Sequence, residues 1–315
     1  MTATELRARL DSYLALRRAL GFAMRPDERL LRSFIACLEQ RGLDGPLRAQ
    51  SALEWATGIR SGPGHQAHRL TVARGFLTHL RALDPQVEVP GPGLLGRAKR
   101  PVPHIYTAAD IAALLCAARA LGPQDSLRPH TMATLIGLLA SCGLRAREAL
   151  HLRLTDVDLD AQPPRLLIRQ TKFRKSRIVP LHATTAAGLR DYAAHSKTLG
   201  YDDRCDTFFV SHGGAPLTYR AASWTFAGLA RHLGLRGPVG VRGVSLRHLR
   251  HTFAVERLAA WSRAGADVRA RLPELSVYLG HTKPQNTYWY LTATPPLLEP
   301  AAARFDAYAS GEGAR

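Results

Sequence analysis

Hydrophobic side chains near the start of the chain recur every three or four residues, which is the spacing of one face of an α-helix. The second such run opens with Pro26 and two acidic residues, places Leu31 and Phe34 on one face, and stops at Gly42. Proline in the first turn and glycine after the last turn are typical helix boundaries. The pattern predicts a small all-α domain over residues 1–84. Its four helices are expected over residues 5–20, 26–41, 49–59 and 64–83.

The helical pattern stops in residues 85–104, which are rich in proline and glycine. Such a composition does not sustain a helix and predicts a semi-extended linker. Three basic residues, Arg97, Lys99 and Arg100, lie near its end. A basic linker between two domains predicts phosphate contacts with a polyanion that both domains hold.

Helical periodicity returns in residues 105–315, where short runs of alternating hydrophobic residues interrupt it. Two of these runs, residues 165–169 and 176–180, flank a turn and predict a β-hairpin, and a further short strand is expected over residues 208–211. The fold class is therefore mainly α, with a small β-hairpin or three-stranded sheet in the second domain. Its helices are expected from residue 107, over 129–141, from about residue 145, and over 184–197, 219–233, 245–261 and 296–309.

Net charge narrows the class of partner. The chain has 315 residues, enough for about two domains, with 43 lysines and arginines against 25 acidic residues and a formal charge of +18. Such an excess of positive charge indicates a polyanionic partner, with nucleic acid as the first candidate. An arginine-rich composition without a functional cause is the alternative.

Cysteine and hydropathy patterns indicate a cytoplasmic protein. Four cysteines are scattered without a CxxC pair, which is typical of buried thiols in a reducing compartment. No apolar run approaches the ~20 residues of a membrane span, and the first residues lack the apolar core of a signal peptide. The 13 histidines are dispersed without an HExxH spacing, so we expect no metal and no other cofactor.

The segment 277–291, VYLGHTKPQNTYWYL, combines a histidine with two tyrosines. A tyrosine hydroxyl is a nucleophile only with strong help, because its free pKa is about 10. The sequence LGH, followed nine residues later by Tyr290, resembles the terminal motif of the tyrosine recombinase (phage integrase) family. Tyr288 is the rival, but it points to a different helical face, and the spacing from His281 favours Tyr290.

Three upstream motifs resemble the same family in the same order. GLRAREAL resembles its first arginine motif and contains Arg145 and Glu148. TKFRKSRIVPL resembles its β-hairpin, whose catalytic lysine falls on Lys172. LRHTFA resembles its second arginine motif, with Arg250 and His251. The resemblance covers most of the second domain.

The resemblance implies a site-specific DNA recombinase, of integrase or transposase type, that needs no ATP, metal or cofactor. Tyr290 would attack a scissile phosphate, form a 3′-phosphotyrosyl bond and release a 5′-oxygen that Lys172 protonates. Strand exchange in the family runs on double-stranded DNA in a tetramer, here a homo-tetramer or a hetero-tetramer with related recombinases. Neither a membrane nor a small-molecule substrate is implied. The groups implied to hold the phosphate are Arg145, Arg247, Arg250 and His281, supported by Glu148 and His251.

The first domain resembles the family's four-helix, SAM-like core-binding domain in size and pattern only. Basic side chains in this domain, the linker and the hairpin are expected to contact DNA phosphates. A solvated surface without a DNA role is the alternative for each of them. The helix expected over residues 296–309 would dock on a neighbouring subunit, and folding back on its own domain is the alternative. The DNA-binding candidates are Arg17, Arg18, Arg69, Arg74, Arg97, Lys99, Arg100, Arg174 and Lys175.

Each catalytic assignment has a structural alternative. Arg145 and Glu148 lie three residues apart on one helical face and would also suit a plain ion pair. Lys175 competes with Lys172 for the role of the hairpin lysine. His281 would equally suit a capping or packing role.

One position departs from the family pattern. The residue three positions before the second arginine is usually histidine, but here it is Arg247, and His248 comes one residue late. Arg247, Arg250 and His251 share a helical face, whereas His248 is rotated by about 100°. Because arginine cannot act as a general base, we expect Arg247 to be a third phosphate donor. The tyrosine proton would then pass to water, the phosphate or a nearby histidine. A catalytically weakened accessory factor and a type IB topoisomerase-like monomer are the alternative functions.

Overall fold

A computed structural model describes residues 2–42, 46–96, 102–169, 176–201, 204–241, 243–281, 283 and 285–292. The chain divides into two compact units, Met1–Pro101 and Val102–Arg315, called here the N-terminal unit and the C-terminal unit. Each unit has a hydrophobic core of its own. No helix in the described ranges is long and apolar enough to cross a lipid bilayer.

In its described residues the N-terminal unit is a bundle of four helices whose apolar faces meet in one core. Thr2 caps the first helix by accepting a hydrogen bond from the main-chain N–H of Glu5 at 3.2 Å. The helices are α1 (Ala3–Ala19), α2 (Arg25–Gln40), α3 (Ala49–Thr57) and α4 (Pro63–Arg81). Each helix lies within two residues of its predicted bounds, so the helical prediction for this part of the chain is confirmed.

Residues 84–96 pack on this same core. Val87 is 2% exposed, and Val89 and Leu95 contact the buried cluster. Residues 85–96 of the predicted linker therefore belong to the N-terminal unit, because apolar residues between its prolines and glycines pack on that core, whereas the C-terminal unit begins at Val102. The basic residues at the end of the predicted linker lie outside the described residues: Arg97, Lys99 and Arg100.

The C-terminal unit is built around α6 (Arg128–Cys142), which is apolar on nearly every side, as a central helix must be. It packs against α5 (Ala108–Arg119), α8 (Ala183–Thr198) and α10 (Leu246–Arg263). A short 3₁₀ helix covers Leu154–Asp156. The remaining described helices are α7 (Ala146–Leu150), α9 (Tyr219–His232), α11 (Val268–Leu279) and α12 (Gln285–Thr292).

Three short strands form an antiparallel sheet in the order β1-β2-β3. They are β1 (Val157–Asp158), β2 (Arg165–Ile168) and β3 (Arg177–Pro180). Ile168 pairs with Arg177 across the ladder, and Arg177 is the first residue of β3, directly after the hairpin turn. The predicted hairpin strands are confirmed, and the turn itself, residues 170–175, lies outside the described residues.

In this unit one predicted strand is wrong and one observed helix was not predicted. The strand expected over residues 208–211 is wrong, because the segment makes one isolated bridge, between Val210 and Pro216. Its apolar residues are buried in the helical core, and burial favours the same residue types as a strand does. Helix α11 had no separate prediction, and its interior contains Pro273, which argues against a helix in the sequence. The helix expected over 296–309 lies outside the described residues.

Helices α10, α11 and α12 share a second, smaller hydrophobic cluster that includes Phe253, Leu275 and Tyr290. Two glycines in the left-handed conformation end the helices that lead to the site. Gly143 ends α6 with φ of 60°, and Gly280 ends α11 with φ of 66°. Glycine adopts this conformation without the strain that a Cβ would cause. The residues that follow both turns carry the chemistry of the candidate site.

Candidate active site

Gly143 brings the first arginine motif close to α10. A Cβ at this position would lie 2.3 Å from Cδ1 of Phe253, so only glycine fits. Arg145 follows at the N-cap of α7, where its main-chain N–H donates to Glu148 Oε2 at 3.1 Å. Its guanidinium Nη1 donates to Oε1 of the same carboxylate at 2.6 Å. The carboxylate of Glu148 therefore orients Arg145, as the three-residue spacing predicts.

Glu148 also pairs with a second arginine, which the sequence analysis missed. Arg177, the first residue of β3, places Nη2 2.8 Å from Glu148 Oε2 and Nη1 3.2 Å from Oε1. Burial by itself raises the pKa of Glu148, but the hydrogen bonds and charges of Arg177 and Arg145 outweigh burial and lower that pKa to about 2. Glu148 is therefore ionised at neutral pH. The sequence signal for Arg177 is its place in SRIVPL, directly after the hairpin turn.

Arg250 lies inside the C-terminal unit, with only 5% of its surface exposed. Its guanidinium donates to the carbonyl oxygen of Gly143 at 2.8 Å and to that of Leu279 at 2.7 Å. Burial lowers the pKa of Arg250 to about 10, and nearby Tyr290 acts in the opposite direction. The guanidinium stays charged at neutral pH, so α10 carries a buried cation that is tied to the ends of two other helices.

His281 follows Gly280 and completes this cluster. Its Nε2 lies 3.0 Å from Arg250 Nη2, and its Nδ1 lies 2.7 Å from the Thr287 hydroxyl. Arginine can only donate, so Nε2 accepts, and the ring proton is assigned to Nδ1, where it donates to Thr287. Burial, followed by the charges of Arg250 and Arg145, lowers the pKa of His281 to about 4. His281 is therefore neutral in this arrangement.

The structure brings Tyr290, and not Tyr288, to the cluster. Tyr290 is 3% exposed, and its ring is nearly parallel to that of His281, with centroids 6.1 Å apart. The ring of His251 lies 5.4 Å from Tyr290 on another side. Tyr288 is 50% exposed. The two tyrosines therefore have different surroundings, as their two-residue separation predicts.

The helical positions of Arg247, His248 and His251 match the expected rotation. Arg247 Nε donates to His251 Nε2 at 3.2 Å, so these two side chains share one face of α10. His251 is 6% exposed and lies beside Tyr290. His248 turns away to the start of the helix, where its Nδ1 accepts a hydrogen bond from the main-chain N–H of Ser245 at 2.9 Å. The late histidine of the motif is thus a helix-capping residue.

Arg69 departs from the expected surface contact. Its side chain is 5% exposed, its Nη2 donates to the carbonyl oxygen of Trp55 at 2.6 Å, and its guanidinium lies 3.9 Å from the Trp55 ring centroid. Arg69 therefore joins α4 to α3 inside the N-terminal unit and is not available to a phosphate. By contrast, Arg18 is exposed, and Arg17 and Arg74 are partly exposed. The hairpin candidates lie outside the described residues: Lys172, Arg174 and Lys175.

A groove next to Arg145 carries positive charge that the sequence analysis did not single out. Its volume is about 850 Å³, and Arg147, Arg153 and Arg169 line it together with Arg145. Arg169 forms an ion pair with the buried carboxylate of Asp156. Arg145, Arg147 and Arg153 lie within one short segment, and Arg169 joins them from just past the end of β2, a position that periodicity does not predict. Glu148 and Asp206 also line the groove, but its four arginines outnumber its three carboxylates, and this excess of positive charge suits a phosphate backbone.

Comparisons with known proteins identify the family of this chain. The phage integrase family model matches residues 105–295. The y4rB protein of Sinorhizobium fredii (strain NBRC 101917 / NGR234), named as an integrase/recombinase, is 41% identical over 307 residues, which cover 95% of this chain and 96% of that protein.

Two solved structures show the same fold. The Tn1549 transposon integrase in complex with transposon right end DNA has a TM-score of 0.67 at 15% identity, covering 98% of this chain and 100% of that one. A lambda integrase tetramer bound to a Holliday junction has a TM-score of 0.60 at 17% identity, covering 88% of this chain and 77% of that one.

The chain belongs to the phage integrase family, the tyrosine recombinases. The predicted class of activity, a tyrosine-type site-specific DNA recombinase, is confirmed by this membership. Neither an accessory factor nor a type IB topoisomerase-like monomer is favoured by the comparisons.

Proposed function

We propose that Tyr290 is the nucleophile of this recombinase and that Arg145, Arg250 and His281 hold the scissile phosphate. The observation that carries the proposal is the convergence of these groups at the C-terminal end of α11. Arg145 Nη2 donates to the carbonyl oxygen of Gly280 at 3.1 Å, and Arg250 contacts His281 directly. The ring of Tyr290 lies against that of His281. Two cations, a histidine and a tyrosine from separate elements thus meet in one place.

The proposed reaction balances without a cofactor. The Tyr290 hydroxyl oxygen forms a bond to phosphorus, and the bond from phosphorus to the 5′-oxygen of the next nucleotide breaks. Tyrosine loses one proton and the leaving 5′-oxygen gains one. Negative charge on the non-bridging oxygens rises in the transition state, and the planar forks of Arg145 and Arg250 suit those oxygens. The 3′-phosphotyrosyl bond keeps the energy of the cleaved linkage, so a 5′-hydroxyl can reverse the step without ATP.

To donate to a phosphate, His281 must carry a proton on Nε2. In the DNA-free structure that atom is unprotonated, because it accepts from Arg250. The charge of a phosphodiester would offset the arginines that lower the pKa of His281. Phosphate binding would therefore favour a proton on Nε2, and both Arg250 and His281 would then donate to the phosphate.

Arg247 fills the place where the family usually has histidine, and we propose that it is a further phosphate donor. Its Nε is engaged by His251, which holds the side chain on the same face of α10 as Arg250. The proton of Tyr290 passes to water, to the phosphate or to a histidine. The rings of His251 and His281, with centroids 5.4 and 6.1 Å from that of Tyr290, are the histidine candidates.

Lys172 is proposed as the general acid that protonates the leaving 5′-oxygen, on the motif alone. The described strands on either side of its turn support this placement indirectly. Arg177 at the start of β3 contacts Glu148, so the base of the hairpin lies beside the proposed phosphate-binding group Arg145.

Double-stranded DNA is the proposed partner of both units. In the C-terminal unit the groove lined by Arg147, Arg153 and Arg169 would hold the backbone beside the scissile phosphate. In the N-terminal unit the proposed phosphate contacts are Arg17, Arg18 and Arg74, which are all at least partly exposed. We propose a cytoplasmic protein that acts as a tetramer of identical or related recombinases, as the lambda integrase tetramer on its Holliday junction does. Residues 296–309 would dock on a neighbouring subunit in that tetramer.

A nicked duplex that loses its short 5′-hydroxyl strand after cleavage tests the proposed chemistry. The wild-type protein should accumulate a covalent protein–DNA adduct, and Tyr290→Phe should form none. Tyr288→Phe is the matched control, because the same change two residues away should leave the adduct intact. Adduct formation by Tyr290→Phe would refute the assignment of the nucleophile.

The same substrate separates the recombinase from the two other functions. Tight duplex binding by the wild-type protein without any adduct would indicate an accessory factor. Relaxation of supercoiled DNA by a monomer, with no exchange between two target sites, would indicate a topoisomerase. Adduct formation together with exchange between paired sites supports the proposal.

A further inference from the structure

Three arginines from three elements donate to three successive carbonyl groups at the C-terminal end of α11. Arg177 Nε lies 2.9 Å from the carbonyl oxygen of Tyr278, and Arg250 Nη2 lies 2.7 Å from that of Leu279. Arg145 Nη2 completes the series at the next carbonyl, that of Gly280. The last carbonyl groups of a helix have no partner within the helix and carry negative partial charge. The end of α11 is therefore an attachment point for three guanidinium groups.

Arg177 differs from the other two arginines in how it uses its nitrogen atoms. Its Nε donates to Tyr278, and both Nη atoms donate to the carboxylate of Glu148. Its side chain is 12% exposed, against 38% for Arg145. All three nitrogens of Arg177 are thus engaged inside the protein, whereas the side-chain hydrogen bonds described for Arg145 and Arg250 come from their Nη atoms alone. This arrangement suits Arg177 to hold other groups in place.

Gly280 shows how closely Arg177 is packed against this helix end. A Cβ at Gly280 would lie 2.8 Å from Arg177 Nη1 and 3.0 Å from its Cζ. The guanidinium therefore rests directly on the main chain at the turn that leads to His281. Arg177 contacts the support of Arg145, through Glu148, and the support of His281, through this turn.

We infer that Arg177 is a positioning residue for the catalytic cluster, an inference that rests on the proposed function of Arg145, Arg250 and His281. It fixes Glu148 and the end of α11 relative to each other before DNA binds. The phosphate-binding arginines then lose their conformational freedom during folding. Their geometry is already in place when DNA binds, so binding does not have to order them. Without Arg177, Glu148 pairs with Arg145 alone, and the Tyr278 carbonyl loses its donor.

A plain ion pair that only joins β3 to α7 is the rival explanation. Both explanations predict a less stable protein when Arg177 is replaced. Only the positioning role predicts a slower chemical step on saturating DNA, because a misplacement of about 1 Å at a catalytic group costs on the order of 100-fold in rate. Stability and rate must therefore be measured on the same variants.

The experiment compares Arg177→Gln and Arg177→Lys with Arg165→Gln. Arg165 is a suitable control because it lies on the neighbouring strand in an exposed ion pair with Asp158, at 3.0 Å. Arg177→Gln should lower the rate of adduct formation at saturating DNA by about 100-fold. Arg177→Lys keeps the positive charge but loses the planar guanidinium, so its rate should lie between those of the wild type and Arg177→Gln. Arg165→Gln should match the wild type. A rate for Arg177→Gln equal to that of the control overturns the inference.

The salt dependence of duplex binding tests whether Arg177 acts through other residues. A side chain that contacts a phosphate contributes about one unit to the slope of log affinity against log salt. Arg145→Gln should therefore reduce the slope by about one, and Arg177→Gln should leave it unchanged. A reduced slope for Arg177→Gln would make it a phosphate ligand and overturn the positioning role.

The pH profile adds a readout that a merely structural role would not change. Removal of Arg177 takes away the main group that opposes the effect of burial on the pKa of Glu148, so that pKa rises. The adduct-forming rate of Arg177→Gln should then fall off on the acid side at a higher pH than in the wild type. Adding Glu148→Gln to Arg177→Gln should remove this shift. Identical acid limbs in the wild type and Arg177→Gln contradict the inference.

A measurement without DNA keeps the inference separate from the proposed reaction. In ¹⁵N-arginine NMR, the guanidinium protons of Arg145 and Arg250 should exchange with water faster in Arg177→Gln than in the wild type or Arg165→Gln. Circular dichroism checks folding, and Arg177→Lys replaces the glutamine variant if the latter unfolds. A wild type that never forms an adduct would refute the reaction, while unchanged exchange would refute the positioning role.

Discussion

Arg250 and His281 contact each other directly, with the guanidinium Nη2 3.0 Å from the imidazole Nε2. Arginine has no acceptor atom, so the histidine nitrogen presents a lone pair at this contact. Two groups proposed to donate to one phosphate are thus paired with each other, and the histidine is neutral. A phosphate that accepts from both must break the contact and bring a proton to Nε2.

We therefore expect DNA binding to take up a proton and to strengthen as pH falls toward about 4, the pKa of His281 in the free protein. Burial and the neighbouring arginines lower the pKa of free His281 to about 4, and a phosphate against the ring would raise it. A group with a higher pKa in the complex favours the complex as pH falls through that higher pKa. Fluorescence anisotropy with Tyr290→Phe, at constant ionic strength, measures the affinity without cleavage.

The matched variant for this pH dependence adds His281→Gln to Tyr290→Phe. Glutamine cannot titrate, so the affinity of the double variant should change less with pH. The same pH dependence in both proteins would assign the proton uptake to another group.

Gly280→Ala should slow adduct formation more than its effect on stability explains. A non-glycine residue in the left-handed region costs roughly 1–2 kcal/mol, and here the new Cβ would also lie 2.8 Å from Arg177 Nη1. Gly265→Ala separates the two effects, because Gly265 has φ of 72° and no described atom within 4 Å of a Cβ. Urea unfolding should show a similar loss for both variants, and adduct kinetics should show a large loss for Gly280→Ala alone. Equal kinetics would mean that the contact with Arg177 is dispensable.

Arg247→Lys should keep part of the cleavage activity, and Arg247→His should not exceed the wild type. A lysine ammonium can still donate to a phosphate oxygen, although it lacks the fork of arginine. The donor role of Arg247 follows from its place beside Arg250 and its hydrogen bond to His251. Adduct kinetics on the nicked duplex measure both variants. Sharply faster cleavage by Arg247→His, together with an inactive Arg247→Lys, would show that this position needs a base.

Arg74→Gln should weaken DNA binding without a large loss of stability, and Arg69→Gln should lower stability without changing the salt dependence of binding. Arg74 is partly exposed, so its loss should weaken duplex binding and lower the salt slope by about one. Arg69 is buried against Trp55, so its loss should leave the slope unchanged and destabilise the protein by about 1–3 kcal/mol. Salt-dependent anisotropy and urea unfolding check the pair. A lower slope for Arg69→Gln would contradict its buried placement.

Local patterns predicted the helices and the positions along α10 because both depend on spacing within one segment. The rotation of about 100° between neighbouring helical residues separates His248 from Arg247, and the structure places His248 at the helix start. Arg69 shows the limit of the same logic. It adjoins Leu70 on α4, and the sequence does not show that Trp55 of α3 covers Arg69.

Arg177 shows what spacing within a segment cannot reveal. Its partners, Glu148 and Tyr278, lie 29 and 101 residues away along the chain. The groove beside Arg145 depends in part on the same kind of contact, because Arg169 joins the nearby arginines of residues 145–153 only through folding. Tertiary contacts of this kind leave no periodic signal, even when the residues belong to recognisable motifs.

Gly143 fixes the distance between two guanidinium groups by means of main-chain contacts. The absence of a Cβ lets the ring of Phe253 approach its backbone, and its carbonyl oxygen accepts from Arg250 at 2.8 Å. Arg145 begins only two residues further on. Glycine at this position thus allows the C-terminal end of α6 to approach α10 more closely than any residue with a Cβ would. Any larger residue would push the helices apart and widen the gap between the two arginines, so the spacing of these two proposed phosphate donors is set by the thickness of a bare peptide backbone.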